Sequence, residues 1–542
     1  MKRELLLGNE AIVKAACDIG VNFVSGYPGS PAADIGDRLG KIAKNKGIYV
    51  EWSSNEKTAL EAGVGASLSG LRVLVHMKSF GMNVCSDILF PLAYTGTVGG
   101  LVIVVADDPS CHSSAQSEQD SRGYAYLSHL PFLVPSDPQD CYDFTKEAFR
   151  ISEKFKIPVV LRTTTRVAYQ KGIVFCRLES AKEEPRKTPR FVKNRSQFVT
   201  MPPRVLEMKE ELIRKLREIS LWAENSRLNT TVKGTESKIG IITSGVPFWY
   251  TRESLAKLNW SIPILKLGFF NPLPQRMIKK FLKGKEGILV VEETDPYLEK
   301  EIRIIAKEVN STVKISGKDI LPMVGELNSD LLTSALLKLK GKRVRKESRE
   351  DNISLPKRTP RLCSDCPYWP VLSLLKKLIP IETVIGGDIG CNMIGGLPPF
   401  ELYDYIFCMG ASIGVAHGVG KATGQKAVAV IGDGTFFHSG IEGLINAVYN
   451  RSNLLIVILD NRTTAMTGHQ PHPGTGQNAL GEETVQLDIE KIVRACGVEK
   501  VRTAETPEEL EGTIKDFFQE RGVSVIIFRK ICSILAKKQK VE

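Results

Sequence analysis

The stretch Ala427-Val428-Ala429-Val430-Ile431-Gly432-Asp433-Gly434, followed by Leu454-Leu455-Ile456-Val457-Ile458-Leu459-Asp460-Asn461, decides how the chain folds. Each is a short apolar run, the pattern of a strand buried on both faces of a parallel sheet. Each ends in oxygen-bearing residues, and in open α/β sheets ligands sit at the carboxyl ends of the strands. Asp433 and Asn461 offer side-chain oxygens of the kind Mg²⁺ takes beside water and phosphate. Gly432 and Gly434 let the backbone approach a diphosphate closely. A Gly-Asp-Gly by itself is ordinary turn chemistry. The second strand, ending in Asn, makes the pair specific.

Working outward, the same alternation of short apolar strands and helical patterns runs through most of the chain and predicts an α/β fold of three parallel-sheet domains. In residues 1–180 the strands are Asn22-Phe23-Val24, Arg72 to Val75, Leu101 to Val105 and Pro158 to Leu161, with a helix over Lys57 to Ser69. Residues 181–236 are rich in Lys, Arg and Pro around one amphipathic helix, Val205 to Asn225, and read as a basic connector over the surface. A second domain, 237–337, opens on Lys238 to Gly245 and continues through Ile262 to Leu267 and Gly287 to Glu293. Residues 338–361 form a basic linker. The third domain, 362–542, carries the quoted strands. No repeat of solenoid period is present.

Composition sets outer limits. The 542 residues are 42% hydrophobic and 25% charged, enough for sizeable cores. That excludes a collagen, a disulfide mini-protein and wholesale disorder. Lys and Arg exceed Asp and Glu by 73 to 61, a net +12 that is mild for this length and does not imply nucleic acid. No apolar run approaches the ~20 residues needed to span a bilayer, and no signal peptide is visible, so a cytoplasmic protein is expected. Eleven cysteines in such a chain point to metal or redox chemistry rather than disulfides.

The paired strands resemble the thiamine diphosphate motif. That resemblance implies a metal held by Asp433, Asn461 and the backbone carbonyl of Thr463, with Gly432 and Gly434 lining the diphosphate. In the first domain, Trp52-Ser53-Ser54-Asn55-Glu56-Lys57-Thr58-Ala59 is similar to the Asn-Glu segment of pyrimidine-binding domains. There the glutamate bonds N1′ of the aminopyrimidine and favours the imino form that deprotonates the thiazolium. A helix-start carboxylate is the alternative for Glu56, and Glu61 is the competing acid.

A longer series resembles the alpha-subunit family of indolepyruvate:ferredoxin oxidoreductases. It includes Gly26-Tyr27-Pro28-Gly29-Ser30-Pro31, Ala106-Asp107-Asp108-Pro109 with His112-Ser113-Ser114, and Ser117 to Arg122. It continues through Leu161 to Val167, Gly387-Asp388-Ile389-Gly390-Cys391, Cys408 to Gly414, Thr435 to Gly440 and Thr463 to Gln470. The middle domain is similar to a transketolase C-terminal domain. The resemblance implies coenzyme A-dependent oxidative decarboxylation of arylpyruvates, with two electrons leaving singly to ferredoxin. It also implies a small beta subunit carrying a gamma-type domain, and a dimer of alpha-beta pairs. Gly387, Asp388, Gly390 and Gly410 are expected at the cofactor, with Ile413 as an apolar wedge under the thiazolium or as ordinary helix packing. Ser30, His112 and His438 join Glu56 as catalytic candidates, and Arg122 is a further substrate contact. Ser30, His112, Arg122 and His438 each also have a structural reading, as a loop hydroxyl, a capping histidine or a surface arginine.

Single-electron transfer needs a centre that thiamine does not provide. Cys363-Ser364-Asp365-Cys366 is followed, after 24 residues, by Cys391, a spacing similar to the cluster-binding cysteines of related pyruvate and 2-oxoglutarate enzymes. Cys532, after the strand Ser524 to Arg529, takes the place of their fourth ligand. Together these imply a [4Fe–4S] cluster. Half a zinc site, a redox pair or unliganded thiols are the alternatives, with Cys408 and Cys496 as substitutes for Cys532. Two departures stand out. The usual C-terminal ferredoxin-like domain is expected to be missing, and Pro367-Tyr368-Trp369 replaces the family's Pro-His-Arg. They leave two rival readings: a non-oxidative 2-oxo acid decarboxylase, and a non-catalytic homologue.

Overall fold

The computed structural model describes residues 2–176, 189–309, 311–342 and 359–539. They are mixed α/β, as expected, and the chain packs as two compact units, Met1–Arg349 and Glu350–Glu542.

The first unit holds three sheets. Its main sheet has seven strands in the order Phe269–Asn271, Phe132–Leu133, Val159–Thr164, Leu101–Asp107, Val73–Lys78, Phe23–Gly26, Tyr49–Trp52. All neighbours are parallel except the Phe269–Asn271 edge. The central strands Val73–Lys78 and Leu101–Asp107 are buried throughout, which accounts for their near-continuous apolar sequence. A five-stranded sheet is built on Ile239–Thr243, Ile264–Lys266, Gly287–Val291 and Lys314–Ser316, with Thr230–Val232 antiparallel at its edge. Lys2–Leu7 and Lys171–Cys176 pair as a small antiparallel ribbon.

Two features differ from the expected division. The edge strand Phe269–Asn271 comes from the middle segment yet pairs with Phe132–Leu133 of the first sheet. The 181–236 connector also does more than drape: Arg204–Glu224 is a helix burying Met208, Leu212, Ile219 and Ala223, and Thr230–Val232 joins the second sheet. These exchanges explain why the first two expected domains cohere as one unit. Most of the 338–361 linker, and residues 177–188, lie outside the described residues.

The second unit is a five-stranded, wholly parallel sheet in the order Ile385–Gly386, Ala427–Gly432, Leu454–Asp460, Val523–Arg529, Lys500–Ala504. Successive side chains alternate between faces. Val428, Val430, Leu455, Val457 and Leu459 pack into one apolar layer with Tyr368, Leu372 and Phe528. Ala427, Ala429, Ile431, Leu454, Ile456 and Ile458 pack into the other with Phe436, Leu444 and Ile527. Both layers are dry, so the polar residues at the strand ends are held at the sheet's carboxyl edge. Among the described residues, no helix is long and apolar enough to cross a membrane.

Candidate active site

In the second unit, Asp433 directly follows the strand Ala427–Gly432 and is 2% exposed. Its carboxylate accepts from the amides of Gly434 at 2.9 Å and Arg462 at 2.8 Å. Asn461 follows the neighbouring strand, and its Oδ1 accepts from the Thr463 amide at 3.1 Å. Asp433, Asn461 and Thr463 are all buried at one edge of the sheet. The arrangement fits a diphosphate with a divalent cation. A Cβ on Gly432 would meet nothing within 4 Å, so backbone lies open there. Beside Gly434, the buried Thr464 Oγ1 lacks any hydrogen-bond partner. Asp460 adds a second buried acid, held above the usual carboxylate range by burial and by the Asp433 charge. Its carboxylate is already paired with Arg529 at 2.9 Å and lies 3.4 Å from Arg462.

His472 was not singled out by the sequence. Its Nδ1 accepts from the Gly474 amide at 3.1 Å, so the neutral ring carries its proton on Nε2, which donates to Asp433 Oδ2 at 3.0 Å. A partner of this kind orients a metal-binding carboxylate. His472→Ala is expected to weaken Mg²⁺-dependent thiamine diphosphate binding about 10- to 100-fold. Calorimetric titration checks this, and an unchanged affinity would contradict it.

The neighbouring loop residues have other duties. Asp388 is fully buried and accepts from the amides of Ile389, Gly410 and Ser412 at 2.8–3.0 Å, locking its loop to the start of the helix Ala411–Thr423. Burial raises it to about 6. Gly387 packs against Tyr403, and Gly410, at φ +83°, lies against the Ser439 backbone. Gly390 takes φ +129° just ahead of Cys391. Ile413 is 0% exposed inside the second apolar layer, with Gly443 against it. Its side chain packs within that layer. His438 is buried, its Nδ1 2.5 Å from Ser439 Oγ.

The four expected cysteines gather beside this edge. Cys366 and Cys391 both pack against the first apolar layer. The Cys391 thiol is pushed up to about 12, by burial first and then by the nearby thiols of Cys366, Cys532 and Cys363. Burial likewise lifts Cys366 to about 11. The amide of Cys532 donates to the Asn461 carbonyl at 3.1 Å, joining it to the Asn461–Thr463 loop, and its Sγ lies 3.7 Å from His469 Nε2. Asp365 ties the two segments together through Lys537 at 2.6 Å and Ser533 at 3.3 Å. Tyr368 and Trp369, the departures from the family pattern, brace the same turn. Tyr368 donates to the Leu459 carbonyl at 3.3 Å, and Trp369 Nε1 to the Cys363 carbonyl at 2.8 Å. Cys496 packs on the opposite layer, and Cys408 is exposed near Asp388. Among the described residues, no three His, Cys, Asp or Glu side chains stand close enough for a single metal ion. One zinc ion would draw four sulfurs to about 3.8 Å, given ~2.3 Å bonds. A cubane cluster accepts thiolates set wider apart.

In the first unit, Glu56 opens the helix Glu56–Leu68, with Asn55 as its cap accepting from the Thr58 amide at 2.9 Å. Glu56 is 7% exposed, and Gly81 leaves it room, since a Cβ there would lie 2.7 Å from Glu56 Cγ. Glu61 is exposed and pairs loosely with Lys57. Ser30 is half-buried, its carbonyl accepting from Ser113 Oγ at 3.3 Å. His112 is largely exposed, with Glu326 3.2 Å away. Arg122 is 2% exposed and committed to Asp120 and Glu292, each at 2.6 Å, so its guanidinium is spent inside the fold and does not serve as the substrate contact.

Comparison with known proteins places the chain in a family. The family described as "Thiamine pyrophosphate enzyme, C-terminal TPP binding domain" matches residues 388–528, and "Pyruvate flavodoxin/ferredoxin oxidoreductase, thiamine diP-bdg" matches 14–211. The chain is 44% identical to the indolepyruvate oxidoreductase subunit IorA of Methanothermobacter marburgensis, over 98% of this chain and 87% of that protein. It is 38% identical to the same subunit of Pyrococcus horikoshii, over 98% and 86%. A 2-oxoglutarate:ferredoxin oxidoreductase from Magnetococcus marinus shares the fold, with TM-score 0.50 and 16% identity over 62% of this chain and 65% of that one. The chain thus belongs to the thiamine diphosphate-dependent 2-oxoacid oxidoreductases, within the family of the indolepyruvate oxidoreductase IorA subunits.

Proposed function

We propose that this chain is the large subunit of a cytoplasmic enzyme that converts an arylpyruvate and coenzyme A to an aryl-acetyl-CoA and CO₂. The overall step releases a proton and passes two electrons, one at a time, to two oxidised ferredoxins. The observation that carries this reading is the gathering of Cys363, Cys366, Cys391 and Cys532 beside the loop that bears Asp433, Asn461 and Thr463. A decarboxylase that released an aldehyde would have no use for four thiols there.

Thiamine diphosphate, when bound, supplies the electron sink that decarboxylation of a 2-oxo acid requires. Asp433 and Asn461, with the Thr463 carbonyl, would hold its Mg²⁺. Gly432 and Gly434 would let backbone reach the diphosphate, and Thr464 Oγ1 would find its missing partner there. The buried Glu56 carboxylate would accept a hydrogen bond from N1′–H of the aminopyrimidine's imino form. The four thiolates would hold a [4Fe–4S] cluster. A small subunit with a gamma-type domain would complete the enzyme, which we place as a dimer of alpha-beta pairs.

An anaerobic assay tests the reading. The chain and its partner subunit are supplied with thiamine diphosphate, Mg²⁺, indolepyruvate and methyl viologen, with and without coenzyme A. Dye reduction that requires coenzyme A is the expected result. Aldehyde release without dye reduction would overturn it in favour of a simple decarboxylase, and no turnover with any arylpyruvate would overturn it outright.

A further inference from the structure

We propose that Lys78 is the cation that receives the carboxylate of the 2-oxo acid, in a niche walled by Ser30 and Ser113. The inference rests on the functional reading above and adds to it the residue that recognises the substrate's charged end.

Lys78 ends the strand Val73–Lys78, at the carboxyl edge of the parallel sheet where ligands of such folds sit. It immediately precedes the helix Ser79–Thr95, whose Gly81 abuts the Glu56 side chain. The helix that Lys78 precedes therefore packs, one turn on, against the acid that would hold the aminopyrimidine. The motif loop closes over the lysine, because a Cβ on Gly29 would lie 2.9 Å from Lys78 Cβ. On the other side Nζ donates to the Ser113 carbonyl at 2.7 Å, and Ser113 Oγ in turn donates to the Ser30 carbonyl.

The charge is not used up by its surroundings. Asp108 is the nearby acid, but it stands 4.0 Å from Nζ. Its Oδ2 already accepts from the Ser113 amide at 2.7 Å and from Ser114 Oγ at 2.6 Å, while Oδ1 accepts from Thr165 Oγ1 at 2.5 Å. Burial lowers the lysine to about 8 even with the nearby Asp108 charge opposing it, so the ammonium persists at neutral pH in a largely buried place. There a second, better-placed carboxylate forms a charge-assisted hydrogen bond that water competes for poorly. Arg122 is committed to Asp120 and Glu292, and Arg162 donates through Nε to Asp107 at 2.8 Å.

The test uses the complete two-subunit enzyme loaded with thiamine diphosphate and Mg²⁺. Lys78→Gln is expected to raise KM for the arylpyruvate about 10- to 100-fold, the scale of a lost charged hydrogen bond. KM for coenzyme A and the affinity for thiamine diphosphate should stay within about twofold, and Lys78→Arg should recover part of the loss. As a probe independent of turnover, calorimetry compares 3-phenylpropanoate with its amide. The wild type should prefer the carboxylate about tenfold or more, and Lys78→Gln should lose the preference. A variant that keeps both its KM and that preference would overturn the proposal. So would one that loses cofactor affinity and thermal stability with no change in the preference, since Lys78 would then only brace the Ser113 loop. Wild-type enzyme that binds the carboxylate yet fails to turn over any arylpyruvate would instead refute the functional reading.

Discussion

Glu56→Gln should lower turnover at least about 100-fold while leaving thiamine diphosphate affinity within about tenfold of wild type. The two effects separate because the amide is nearly isosteric with the acid. It can fill the space beside Gly81 and preserve the cap made by Asn55. What it cannot do is take the proton-sharing role of a carboxylate toward the cofactor's ring nitrogen. Glu56 is suited to that role by position, since it is buried at the first residue of its helix, whereas Glu61 lies on the surface. Steady-state dye reduction and calorimetric cofactor titration on the same preparation make the check. A variant with wild-type rates would remove Glu56 from the chemistry, and one that failed to bind cofactor would make it a binding residue only.

Cys391→Ser is the second large effect. Wild-type protein prepared without oxygen is expected to carry about four iron and four sulfide per chain, with absorbance near ~400 nm that bleaches on reduction. The variant should lose most of both while binding thiamine diphosphate normally. Cys391 is the most informative of the four positions. It is partly buried and packs on the same apolar layer as Cys366. Its thiol is driven to about 12 by burial and by its sulfur neighbours, so a thiolate there is stabilised only by a bound cation. Wild-type protein without iron would overturn the cluster, and iron retained by the variant would overturn this ligand set. Cys496→Ser, on the opposite apolar layer, should leave the iron unchanged.

Much of this was legible before the structure, and particular residues show why. The strand pair ending in Asp433 and Asn461 could be read because strands buried on both faces must be continuously apolar, and the polar residues that interrupt them mark the ligand edge. The cysteine grouping came from a spacing similar to that of related enzymes, and the structure has Cys363 and Cys366 sharing a turn and Cys532 following a central strand. What spacing does not carry is direction and prior commitment. Spacing does not tell that the Ile413 side chain is wholly buried in the second apolar layer. Arg122 looked available because its partner Glu292 is 170 residues away. Lys78, at the end of a buried strand, gives no local sign of a ligand role. His472 gained its role through a contact with Asp433 across 39 residues, and a lone histidine in a loop gives no local sign of one. The strand Phe269–Asn271 is too short for any periodicity to announce its place in the first sheet.

The central claim is that thiamine chemistry and an iron–sulfur electron outlet work in one chain. It is tested most directly by mixing the loaded, oxidised two-subunit enzyme anaerobically with indolepyruvate, with and without coenzyme A, while following absorbance near ~400 nm and CO₂ release. Release of CO₂ with bleaching of the cluster, driven to completion by coenzyme A, is the predicted result. Release of CO₂ and an aldehyde with the absorbance unchanged would contradict it.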